Sequence, residues 1–253
     1  MRLESKTPLW DGAALSEGKR MNEDQNGSER LFKDHVEKWR QRVLASPKAM
    51  GAADRVITMS MEPGSGGRII AEKLAQRLGF DLFHREIIKA IAKSSRMSAS
   101  VIDTVEKERL SGLEDFLSSL IRKKYFHPGS YQHHLFKVIG TVARHGRVVI
   151  VGRGANFILP PAERLAVRVI APLETRIRNV ARGYGCTLEV AEKRVRQRQA
   201  RRRDFVRQAF HQDIDKPHHY DLVVNTGQLS LDTAVEAILA VHAHRNGDGR
   251  PPA

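Results

Sequence analysis

The residues best suited to chemistry form two groups, a glycine turn MEPGSGGR at 61–68 and seven arginines between 194 and 207. In the turn, Gly64, Gly66 and Gly67 let the backbone bend and bring its N–H groups towards an anion at the start of a following helix. The pattern departs from the common phosphate loop, GxxxxGK followed by Ser or Thr, because Gly67 stands at the lysine position and Met61 at the first glycine. Arg68, one place later, is the nearest substitute for the missing charge. Neither Arg68 nor Ile69 carries the hydroxyl that coordinates magnesium, which leaves Ser60 or Ser65 as substitutes and the metal ligands unassigned. Among the arginines, Arg198 lies four places from Arg202, and Arg203 four places from Arg207. On a helix such pairs repel unless an anion sits between them. Holding phosphate groups and neutralising their charge is the chemistry both groups suit.

The elements that must position these residues follow from apolar spacing. Arg55 to Ser60 is a short β-branched run leading into the turn, and Ile69, Ile70, Leu74 and Leu78 then keep helical spacing, which predicts strand, loop and helix. Further short strands are expected at 80–84, 147–151, 165–170 and 220–225, alternating with helices at 135–142, 172–184, 188–210 and 231–243. Pro172 suits a first helical turn, since its fixed φ fits and its missing N–H is not needed there. Strands alternating with helices predict an α/β fold, a parallel sheet with helices on both faces.

Residues 1–28 are polar and without period, as expected of a disordered tail, and 246–253 form a second one. Leu31, Phe32, Val36, Trp39 and Val43 predict an amphipathic helix within 29–50, packing on the main domain at 51–245 or on a second copy of the chain. Residues 85–130 read as a helical insertion and 188–218 as a mobile arginine-rich lid, with Pro217 stopping the helix beyond it.

Composition narrows the partners. A net charge of +14 favours polyanions, nucleotides or nucleic acid alike, while an aromatic content of 6% gives no support to base-stacking platforms. There is no run of about 18 apolar residues and no export signal at the N-terminus, so no membrane partner is expected and cytoplasm is the expected location. Cys186 is the one cysteine and has no second thiol with which to bind metal. The histidine pairs 133/134 and 218/219 lack ligand spacing and are expected at the surface or in loops.

Taken with its spaced companions, the glycine turn resembles the cytidylate kinase-like family, a nucleoside monophosphate kinase type of P-loop protein. The resemblance rests on VITMSMEPGSGGRIIAEKLAQRLG, on LFHREII at 82–88, on VVIVGRGANFILPPAERLAVRVIAPLETRI at 148–177, on the arginine stretch and on YDLVVNT at 220–226. It implies a kinase core with a helical monophosphate-binding insertion and a lid, using ATP and Mg2+ and acting on CMP or dCMP. In that scheme Ser60, Gly64, Ser65, Gly66, Gly67 and Arg68 hold the nucleotide, and Arg85 and Arg153 bind the monophosphate. Arg198, Arg202, Arg203 and Arg207 serve the transfer. Arg153 also makes physical sense, because an arginine fork at the C-terminal end of a parallel strand meets phosphate where ligands usually bind. Val151 and Gly154 stand where bacterial cytidylate kinases carry aspartates.

Two competing readings remain open. One is a kinase fold that senses a nucleotide or anionic metabolite without turning it over, suggested by the absent lysine. The other is nucleic-acid binding through the arginine helix, which predicts strongly salt-dependent affinity.

Overall fold

In the computed structural model, residues 37, 38, 41, 56–84, 88, 91 and 131–246 are described. Five strands, β1 (Val56–Met61), β2 (Asp81–Phe83), β3 (Val148–Val151), β4 (Leu165–Ile170) and β5 (Leu222–Asn225), form one parallel sheet in the order β2-β3-β1-β4-β5. Register fixes the centre: Ile57 pairs with Val149 on one side and with Leu165 on the other. The helices are α1 (Gly67–Leu78), α2 (Tyr131–Arg144), α3 (Ala155–Ile158), α4 (Leu173–Tyr184), α5 (Leu188–Phe210) and α6 (Leu231–Asn246).

Side chains alternate between sheet faces, so each central strand serves two cores. Ile57, Met59, Val149 and Val167 pack with Ile70 and Leu74 of α1 and with Val235 and Ile238 of α6. Val56, Val148 and Ile150 turn the other way, against Leu135 and Ile139 of α2 and Phe210 of α5. Removing each such side chain from water contributes about 1.5–3 kcal/mol, which is why these short, unbroken apolar strands lie at the centre of three layers. Helices on both faces of a parallel sheet are therefore observed.

Helix ends follow local chemistry. α1 stops at Gly79 and α4 at Gly185, both with positive φ, where glycine closes a helix without strain. α5 begins after Thr187, whose side chain accepts from the Val190 N–H, and it runs over the expected residues 188–210. Pro172 is one place outside the expected position: it caps α4, its carbonyl accepting from Arg176 N, and the first helical residue is Leu173.

Of the expected N-terminal helix, Glu37, Lys38 and Gln41 are helical, and Gln41 Nε2 donates to Glu37 Oε1. Of the expected insertion, Ile88 and Ile91 are helical and wholly buried in the α2 core. The remainder of both segments, residues 1–28 and 247–253, and Arg85 lie outside the described residues, while Asn246, expected in the second tail, is the last helical residue of α6. No described helix is long and apolar enough to cross a membrane.

Candidate active site

The glycine turn leaves the C-terminal end of β1, the central strand. Glu62 N donates to Val169 O on β4, so the chain is still sheet-bound one residue past the strand. Gly64 and Gly66 then take φ +86 and +76, where other residues are strained. The space around them is also closed. A Cβ at Gly64 would lie 2.5 Å from the Arg176 carbonyl, and one at Gly67 would lie 2.7 Å from the Met61 side chain. α1 starts at Gly67, and the N–H groups of Gly64, Gly66, Gly67 and Arg68 have no acceptor among the described residues. These donors follow one another at a helix start, the kind of position that suits phosphate.

The loop carbonyls are bonded in turn. Arg202 Nη1 donates to Met61 O, Ser65 Oγ to Glu62 O at 2.9 Å, Asn179 Nδ2 to Gly64 O at 2.9 Å and Thr226 Oγ1 to Ser65 O at 2.8 Å. Glu62 adds a buried pair: its carboxylate accepts from Ala171 N at 3.0 Å and meets Arg176 Nε at 3.2 Å. Arg176 is held further by Ala171 O and by Gln199 of α5. Burial pushes the Arg176 guanidinium below its ordinary pKa, while Glu62 opposes the shift.

Ser60 lies just before the turn, and its hydroxyl is engaged with Arg168 Nη1 at 2.7 Å and with Tyr220 Oη at 3.4 Å. Arg168 comes from β4, is 5% exposed and pairs with Asp215 at 2.6 Å. Asp215 Oδ2 also takes Arg203 Nε of α5 at 2.5 Å, so one carboxylate ties β4 to the arginine helix. Burial raises the Tyr220 phenol against the lowering influence of Arg168. Tyr220 donates to Ile214 O, fixing the chain that brings Asp215 into place.

VGRG, the second predicted motif, leaves the end of β3 next to β1, and Gly152 N donates to Met59 O at 2.9 Å. Gly152, Arg153 and Gly154 all have positive φ, an unusual run in which Arg153 alone has a side chain to strain. A Cβ at Gly154 would lie 2.2 Å from Phe210 of α5, so the turn is packed onto the end of the arginine helix. The Arg153 guanidinium lies over Phe205 at 5.7 Å and depresses the burial-raised pKa of Tyr131, at the start of α2.

The structure thus brings Gly64, Ser65, Gly66, Gly67, Arg202 and Arg203 around one region and sets Arg153 on the adjacent strand end. A shallow opening between the loop and α5 is lined by Met61, Glu62, Gln199, Arg202, Arg203 and Asp215. Other candidates face elsewhere. Arg68 is 66% exposed and extends along α1 to Glu72 at 3.0 Å. Arg198 bonds Tyr184 Oη and lies over its ring, and Arg207 pairs with Asp204. Of the two arginine pairs expected to repel, Arg203 and Arg207 each have a carboxylate partner, Asp215 and Asp204, while Arg198 and Arg202 are drawn to a tyrosine and a carbonyl. Among the described residues no group of three or more His, Cys, Asp or Glu is placed to hold a metal ion.

Sequence reasoning missed Glu62, Arg168, Arg176, Asn179, Asp215 and Thr226. One signal was present: an arginine inside the apolar run LAVRVI demands a buried partner.

Loop, neighbouring VGRG turn and arginine helix stand in one chain order, and a sequence description of the Cytidylate kinase-like family matches residues 56–228. The chain belongs to the cytidylate kinase-like family. Within that family setting, its similarity to a cytidylate kinase of Pyrococcus furiosus is 28% identity, covering 75% of this chain and 88% of the relative. One of Ignicoccus hospitalis is 26% identical, covering 72% and 96%. An uncharacterized protein from Eubacterium ventriosum has a similar solved structure, with TM-score 0.59 at 20% identity over 75% of this chain and 98% of that one.

Proposed function

We propose that this protein is a nucleoside monophosphate kinase that transfers the γ-phosphoryl group of ATP to CMP or dCMP. The observation that carries the reading is the side-by-side placement of the glycine loop and Arg153 at the ends of paired strands, with Arg202 reaching from α5 onto the loop. Ligands of open parallel sheets bind at such strand ends. The choice of a cytidine nucleotide draws on the names of the relatives.

In this reading the loop N–H groups cradle the donor phosphates and the Arg153 fork grips the acceptor phosphate. An acceptor phosphate oxygen attacks the γ-phosphorus, the bond to the bridging oxygen breaks, and ADP leaves. Little covalent work falls to the protein in such a transfer, so positioning and charge neutralisation by Arg202 and Arg203 are its contribution. Arg203 would exchange Asp215 for phosphate as it does so. Arg85 is assigned to the acceptor on the resemblance alone. The residues do not fit a protein-held magnesium ion: the Glu62 carboxylate is bonded to Ala171 N and Arg176, and the first turn of α1 offers no hydroxyl. A divalent ion would arrive on the nucleotide phosphates, and no step here depends on protein ligands to it.

ADP release measured with CMP, dCMP, UMP, AMP and GMP tests the reading; turnover highest with the cytidine pair is expected, and silence across all five refutes it. A nucleotide sensor without turnover is the second reading, favoured by the intramolecular partners of Arg202 and Arg203 and by the absent lysine. Tight ATP binding by calorimetry with no ADP formed would select it.

A further inference from the structure

In the motif YDLVVNT the last residue has found no role in the reaction, yet Thr226 follows β5 and reaches across β4 to the glycine turn. Its hydroxyl donates to Ser65 O at 2.8 Å, with Ile170 O a second neighbour at 3.2 Å, and its own N–H donates to Ile170 O at 2.9 Å. The backbone bond fixes where the side chain stands. Asn179, on α4, makes the equivalent bond to Gly64 O at 2.9 Å.

A trans peptide unit is planar, with its N–H pointing opposite to its C=O, and the chain has no cis peptides among its described residues. Holding the Ser65 carbonyl therefore aims the Gly66 N–H the other way. That N–H has no acceptor among the described residues and belongs to the group of donors at the start of α1. Holding the Gly64 carbonyl fixes the preceding peptide unit, whose N–H, that of Ser65, is turned back onto Glu62 O at 3.2 Å. Glycines at 64 and 66 would otherwise let these peptide units rotate, since glycine has the widest backbone freedom. A phosphate loop without its lysine depends on backbone donors, and donors hold charge best when they need no reorganisation on binding.

We infer that Thr226 is a positioning residue for the donor phosphates: by tethering the Ser65 carbonyl it aims the Gly66 N–H at the anion, while Asn179 braces the peptide before it, whose N–H is already taken by Glu62 O. This rests on the reading of the loop as a phosphate cradle. Neither residue touches the reacting atoms.

The test compares the full chain with Thr226→Val, which keeps shape and removes the donor, Thr226→Ser, which keeps the donor, and Asn179→Ala. Calorimetry with inorganic tripolyphosphate and with ATP reads the cradle without turnover. Loss of the orienting hydrogen bond should weaken both ligands about 3- to 10-fold in Thr226→Val, and Asn179→Ala, whose bonded peptide gives its N–H to Glu62, should weaken them less. Thr226→Ser should restore wild-type affinity, and the KM for the monophosphate should stay unchanged while that for ATP rises. Wild-type affinity in Thr226→Val, equal loss in Thr226→Ser, or equal rises in both KM values would each overturn the inference while leaving the kinase reading intact. A wild-type protein that binds neither ATP nor tripolyphosphate overturns both together.

Discussion

Replacing Asp215 with asparagine should loosen the arginine helix from the sheet. Its carboxylate meets Arg168 Nη2 at 2.6 Å and Arg203 Nε at 2.5 Å, and the two guanidiniums differ in setting: Arg168 is 6% exposed along its side chain, Arg203 54%. Breaking a buried ion pair from one side costs about 3–5 kcal/mol, because a buried charge is left uncompensated. Arg168 keeps its bond to Ser60 Oγ, so a cost somewhat below that range, about 2–3 kcal/mol, is expected here. The exposed Arg203 pair adds about 0.5 kcal/mol. For a domain of this size each kcal/mol lowers Tm by about 2–4 °C, giving a drop of about 5–14 °C by circular dichroism. Arg203→Gln is the internal control, and it should cost under about 1 kcal/mol. Arg168→Met combined with Asp215→Asn should cost less than the sum of the single changes, because the same interaction is removed twice. If Asp215→Asn leaves Tm within a degree of wild type, or Arg203→Gln costs as much, the buried arginine does not depend on this carboxylate and the reasoning fails.

Three further outcomes are expected. Gly154→Ala combines φ +68 with a Cβ 2.2 Å from Phe210, and it should lose about 2–4 kcal/mol in urea unfolding; a loss below 1 kcal/mol would show that the turn yields easily. Arg68→Ala should change the KM for ATP less than about 3-fold, since the side chain pairs with Glu72 at the surface, and a tenfold rise would assign Arg68 to the cradle. His219, packed on Phe157, is held below its ordinary pKa of 6.5 chiefly by burial, with His218 and Lys216 adding to the shift. The unfolded chain therefore takes up its proton first, so stability present at pH 8 declines as pH falls through about 6.5. His219→Gln should flatten the fall in Tm between pH 8 and 5.5, and an unchanged slope would contradict it.

The sheet was legible because its signals are local. Runs such as VVIV and LAVRVI are short, β-branched and bounded by turn residues, and α5 occupies the expected residues 188–210. The loop was legible for the same reason, since three glycines between a strand and a helix need no tertiary knowledge. Arginine roles were not. Arg198, Arg202, Arg203 and Arg207 share one helix, yet their partners are a tyrosine 14 residues earlier, a loop carbonyl 141 residues earlier, an aspartate 12 residues later and a neighbour three residues back. Helical spacing orders side chains around an axis, but which of them meets the loop depends on how the helix is docked. The residues that support the loop were hidden likewise, because Asn179 and Thr226 act on carbonyls more than 100 positions away.

Phe210 ends the arginine helix inside the core, stacked with Phe136 at 5.7 Å and Phe157 at 5.3 Å, and flush against Gly154. The opposite end, around Ala191 and Val195, touches a small separate cluster on α4. Phe210 anchors that end of α5: the helix could not slide along its axis without pulling a ring from the core. Because the same ring presses on the VGRG turn, any displacement of this helix end would also be felt at the backbone that carries Arg153.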